Sequence, residues 1–151
     1  GLLTLPIMQL RFSHDCVKDV FSDPARSILG TALELLAGIT SVAELPRIKA
    51  SRAEDGLYYC ATGNRRLAAL RLAALVRPGR FLHVEVQVVP WNAAAMRVKF
   101  TTFKNGATCR GKWAVVRSRT CIQQAAAVVG RRKGPRTYGL DLLERLVRLQ
   151  A

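Results

Sequence analysis

The sequence predicts an α+β fold, a small mixed sheet with packed helices, and three observations carry that prediction. Residues 57–62, Leu57-Tyr58-Tyr59-Cys60-Ala61-Thr62, read as a strand that stops at Gly63. Asn64-Arg65-Arg66 then lead at once into the Ala/Leu-rich run 67–75, so strand gives way to helix across a single glycine. Residues 81–89 alternate apolar and polar, as a strand with one buried face does. Residues 26–39 set Ile28, Leu29, Ala32, Leu33, Leu35 and Leu36 along one helical stripe. With 151 residues, 50% of them hydrophobic, the chain can bury one core and is expected to form one domain.

Taken in order, residues 5–12 are the candidate first strand. Ser13 and Asp15 are good helix-start residues and predict a short helix to Phe21, broken by Ser22-Asp23-Pro24. The helix over 26–39 follows, then a second strand at 45–50 and the turn Glu54-Asp55-Gly56 into strand 57–62. Pro78-Gly79 ends the helix after Gly63, and Pro90 closes the strand at 81–89. Residues 96–104 and 107–113 flank Asn105-Gly106, the signature of a hairpin. Residues 122–130 have the small-residue and glycine spacing of a first helix in a helix-turn-helix. Gly134-Pro135 falls where a recognition helix should run, which favours a plain closing helix at 140–149 after a basic loop at 131–136.

The junction at 63–66 is the most informative chemistry in the chain. A helix start leaves its first backbone N–H groups without partners and carries partial positive charge. A glycine lets an anion approach those amides, and Arg65 and Arg66 add planar donor forks suited to phosphate. Gly63, Asn64, Arg65 and Arg66 are therefore the candidate phosphate- or nucleotide-binding residues. The plain alternative is that Asn64 caps a surface helix and both arginines are solvated.

On these residues, the segment Leu57-Tyr58-Tyr59-Cys60-Ala61-Thr62-Gly63-Asn64-Arg65-Arg66-Leu67-Ala68-Ala69 resembles the G-E-R-R box of the ParB partition proteins. It also looks like the G-C-H-R box of sulfiredoxin, which shares that fold. The resemblance covers roughly residues 5–90. It implies a ParB/sulfiredoxin-like core over 1–90, with 91–151 as a basic extension packed on it within the same domain. Gly63, Arg65 and Arg66 match ParB directly, and Asn64 stands where ParB has glutamate. Sulfiredoxin has its catalytic cysteine at that second position, so asparagine there argues against sulfiredoxin activity. What the resemblance carries over is nucleotide or phosphate binding at this loop.

Charge is the second large signal. Residues 1–60 hold six Lys/Arg and seven Asp/Glu, a net of −1, whereas 61–151 hold eighteen and three, a net of +15. The stretch 97–136 has eleven basic residues and no acidic one, which suggests a polyanionic partner. Arginine outnumbers lysine eighteen to six, which favours nucleic acid, DNA or RNA, over a membrane. The candidate nucleic-acid contacts are Arg97, Lys99, Lys104, Arg110, Lys112, Arg131, Arg132, Lys133 and Arg136. Phe100, Phe103 and Trp113 either stack on bases there or fill the core beneath, the core reading being favoured for Phe100.

No apolar run approaches the roughly 20 residues of a membrane span. No secretory signal is visible, and Gly1 without a preceding methionine suggests a chain excised from a longer protein. Cys16, Cys60, Cys109 and Cys121 form no C-x-x-C pair and lie far from any metal-type spacing with His14 and His83, so reduced intracellular thiols and no metal are expected. Three functions fit: a nucleic-acid-binding ParB-like domain, a nuclease or nucleotide-dependent phosphotransferase on the same fold, or a basic structural protein of a ribonucleoprotein particle. An enzyme would need a base or metal carboxylate beside the arginines; Asp15, Asp55, Glu54 and His14 are the candidates, and His14-Asp15 is the only adjacent pair of that kind. Its plain alternative is a helix cap beside an exposed imidazole. No cofactor is certain; a nucleotide with Mg is the one such a site would take.

Overall fold

The computed structural model describes residues 1–23, 25–104, 111–112, 114–117 and 127–129. The architecture is α+β. Strands β1 (Leu2–Pro6), β3 (Lys49–Arg52), β4 (Tyr58–Thr62) and β5 (His83–Val88) form a mixed sheet in the order β1-β5-β3-β4. β1 runs antiparallel to β5, β5 parallel to β3, and β3 antiparallel to β4. The predicted alternation of β5 holds: Val84 and Val86 are buried while His83, Glu85 and Gln87 face solvent. β2 (Cys16–Lys18), β6 (Ala114–Arg117) and β7 (Ala127–Val129) make a second, three-stranded sheet.

Helix α1 (Ile28–Ala37) starts at Ser27, whose Oγ accepts from the Gly30 N–H at 2.8 Å, and ends at Gly38 in the left-handed region, φ 76°. Ile28, Ala32, Leu35 and Leu36 are buried as the stripe requires, with Leu29 and Leu33 partly buried against the same core. Helix α2 (Asn64–Val76) is buried on nearly all sides, α1 packs against it, and the core takes in Ala50, Cys60, Val84 and Val86 from the sheet. Apart from Asn64, Arg65, Arg66 and Arg71 its residues are apolar, and such a helix belongs at a core's centre.

Arg71 interrupts that apolar run, and it is only 2% exposed. Its Nε donates to the Ile7 carbonyl at 3.0 Å, Nη2 to Leu10 at 2.6 Å and Nη1 to Lys112 at 2.9 Å, and its guanidinium lies 5.3 Å from the Phe12 ring centroid. A buried charge is tolerated when it is hydrogen-bonded, and here three carbonyls take three of the five N–H groups.

Five expectations change. The second strand is β3 at Lys49–Arg52 and not 45–50. The first strand is Leu2–Pro6, earlier and shorter than residues 5–12, because the chain turns at Ile7–Gln9 into a single 3-10 turn, where Arg71 takes the carbonyls of Ile7 and of Leu10 just beyond it. The helix expected over 13–21 is instead the strand β2, paired in parallel with β6; three paired residues with Val17 buried outweigh two weak caps. The ribbon strand expected over 96–104 is helical, as α3 (Ala93–Lys99) and α4 (Thr101–Lys104). Asn92 caps α3 by accepting from the Ala95 N–H at 3.0 Å, and the pair Met96 and Phe100 buries one face at helical spacing. Residues 127–129, expected in a helix, pair with β6 as Ala114↔Val129 and Val115↔Val128. The Asn105-Gly106 turn, the loop 131–136 and the helix 140–149 lie outside the described residues. Among the described residues, no helix is long and apolar enough to cross a membrane.

Candidate functional site

Gly63 ends β4 and caps α2 with φ 113°, a left-handed conformation that favours glycine. A side chain there would also crowd Ile48 Cγ1 at 3.0 Å and the Arg66 guanidinium at 3.2 Å. Gly63 has no side chain with which to cap the first turn of α2. Its residues 63–66 line a cavity of about 900 Å³.

Asn64 is nearly buried and turns away from a capping role. Its Oδ1 accepts from the Ser13 N–H at 2.8 Å, and its Nδ2 donates to Ser13 Oγ at 2.8 Å. Arg65 Nη1 donates to the Val20 carbonyl at 2.9 Å, and its guanidinium lies 5.9 Å from the Phe21 ring centroid. Arg66 Nη1 donates to the carbonyls of Pro46 at 2.6 Å and Arg47 at 2.9 Å. Both forks are thus anchored on one nitrogen, neither free in solvent nor wholly consumed. Burial pulls the Arg66 guanidinium below its ordinary pKa, offset in part by Cys60.

Other elements add cations to the same cavity. Lys18 comes from β2, Arg26 from the approach to α1 and Lys99 from the last turn of α3. Together with Arg65 and Arg66 they face one acid, Asp23, among the described lining residues. Asp23 is itself engaged by the Ala25 N–H at 3.0 Å, and Arg26 pairs with Glu34 at 3.7 Å. Lys18 and Arg26 escaped the sequence reading because they sit in the half of the chain with net charge −1. Only the fold brings them to Gly63.

His14 lines the cavity and packs edge-on against Phe100, with ring centroids 5.1 Å apart. Burial lowers its pKa, the Asp15 charge opposes that, and Lys99 adds to it. Asp15 is not among the lining residues, so the predicted pair reaches the cavity through the histidine. Phe100 is buried, as expected, under the Lys99 ammonium at 5.3 Å. Phe103 packs edge-on against Tyr59 and Trp91, at 4.8 and 5.3 Å.

Among the candidate nucleic-acid contacts, Arg97 and Lys99 are exposed on α3, and Lys104 ends α4. Lys112 is exposed while its carbonyl serves Arg71. Arg110, Arg131, Arg132, Lys133, Arg136 and Trp113 lie outside the described residues. Cys16 and Cys60 are free thiols; Cys60 is fully buried, and burial pushes its pKa up to about 12. Among the described residues no three His, Cys, Asp or Glu side chains group as metal ligands would. Compared with known protein families and with curated proteins, the chain matches none.

Proposed function

We propose that this chain is a nucleic-acid-binding, ParB-like domain that grips a backbone phosphate or nucleotide at residues 63–66. The observation that carries the reading is the glycine-started helix α2 opening on a cavity with Lys18, Arg26, Arg65, Arg66 and Lys99 on its walls and, among the described lining residues, Asp23 as the one acid. Partial charge on the helix amides and full charge on the side chains act on the same volume, which suits a phosphate. The basic excess beyond residue 60 then extends the contact along a polyanion. Free thiols at Cys16 and Cys60 suit an intracellular setting.

The enzyme reading, a nuclease or phosphotransferase, keeps one observation in its favour. His14 is a cavity-lining imidazole whose lowered pKa leaves it neutral, and so able to take a proton, at pH 7. The test is binding of labelled nucleotides and of single- and double-stranded DNA and RNA, with and without magnesium. Binding that a Lys18→Ala/Lys99→Ala double variant weakens supports the proposal. No binding to any nucleic acid at low salt overturns it.

A further inference from the structure

We infer that the cavity selects an unpaired nucleotide within a DNA or RNA strand over a duplex, with Arg65 stacked under its base; this rests on the phosphate-binding reading above. The arginine is built as a plate. Its Nη1 is fixed to the Val20 carbonyl at 2.9 Å, and its guanidinium rides over the half-buried Phe21 ring at 5.9 Å, both groups lining the cavity. A planar guanidinium anchored at one nitrogen on the cavity wall can stack on a base there, as arginine does in single-strand recognition.

A second cation–ring pair, Lys99 over Phe100 at 5.3 Å, places an ammonium in the same volume for the phosphate. Cations alternating with aromatic groups in a concave surface are the pattern of single-strand sites. A duplex keeps its bases stacked inside and presents only phosphates to the mouth of such a cavity, leaving the plate unused. An unpaired nucleotide uses plate and cations together. Lys18 on β2 and Lys99 on α3 bring ammonium groups to the cavity from two elements, where the phosphates flanking a nucleotide in a continuous strand would add contact that a free nucleotide lacks.

Fluorescence anisotropy of the full chain against labelled thymidine and uridine oligomers, a blunt duplex of equal length and mononucleotides tests this. The oligomers should bind about tenfold or more tighter than the duplex, since one stacked base contributes that much. Arg65→Lys and, independently, Phe21→Leu should each remove most of that preference while leaving the salt dependence in place. Phe21→Leu keeps the apolar packing, so a folded variant is available if Arg65 proves structural. Equal affinity for duplex and oligomer overturns the inference while leaving phosphate binding standing. A mononucleotide that binds as tightly as the oligomers also overturns it and makes the cavity a small-molecule pocket. No binding by any probe sinks both readings.

Discussion

Asn64 and Ser13, 51 positions apart in sequence, hold each other by two reciprocal hydrogen bonds of 2.8 Å, both buried. Ser13 also accepts the Thr102 N–H at its carbonyl, at 3.1 Å. One serine therefore ties the start of α2 to the basic helices and sets the neighbouring His14 at the cavity.

Asn64→Ala should cost about 1–3 kcal/mol of stability, because it leaves a buried Ser13 N–H without an acceptor. Urea denaturation measures this. A loss below about 0.5 kcal/mol would mean that water replaces the asparagine. Ser13→Ala removes only the hydroxyl and should cost less.

Gly63→Ala should lower both stability and anion affinity. Alanine at φ 113° is strained and its Cβ would press on Ile48, a penalty on the order of 1–3 kcal/mol. Thermal melts with and without inorganic phosphate separate the two effects. Unchanged melting would show that the junction relaxes.

How far could these features be read without coordinates? The strand–glycine–helix switch at Gly63, the apolar stripe of α1 and the alternation of β5 are local patterns, and each was legible. The Ser13–Asn64 pair was not, since nothing local ties two polar residues so far apart. Lys18 and Arg26 were hidden by the charge statistics of their half of the chain. Residues 96–104 misled because Arg97-Val98-Lys99-Phe100 fits a period of two, while Asn92 and three alanines fit a capped helix. Arg71 read as a break in an apolar run, because a buried guanidinium is recognised only when its carbonyl partners are placed.

Acid should loosen the fold near His14. Its folded pKa lies below 6.5, so the stability it contributes is present above 6.5 and is lost as pH falls through the folded value. His14→Gln should flatten the stability profile below about pH 6.5, as denaturation midpoints at several pH values would reveal. An unchanged slope would assign acid sensitivity to other groups.

Base should act through Cys60. Raised from 9.0 to about 12, this thiol contributes stability that is complete below pH 9 and declines as pH rises toward 12. In the folded protein at pH 8 it should resist alkylation and react only on unfolding. Mass spectrometry after iodoacetamide, with and without denaturant, gives the answer, and prompt labelling of native protein at Cys60 would contradict it.

Affinity for nucleic acid should fall with salt by about 0.9 log units per log unit of salt for each duplex phosphate contacted, or about 0.7 on single strands. Neutralising Arg131, Arg132 and Lys133 together should flatten that slope across sequences. A slope unchanged in the triple variant would move the electrostatic contact to the cavity cations.

Arg71 bears on where this polypeptide can be cut. Its guanidinium joins the first ten residues to Lys112, β2 pairs with β6, and the Phe12 N–H bonds Gly111 at 2.8 Å. A fragment ending near residue 90 would strand a buried cation short of one acceptor and leave β2 unpaired. For expression trials, library recombination or fusion, the seam near residue 90, where the resemblance ends, is therefore the wrong place to divide the chain. Fragments should keep residues 1–117 together, or change Arg71 along with the truncation.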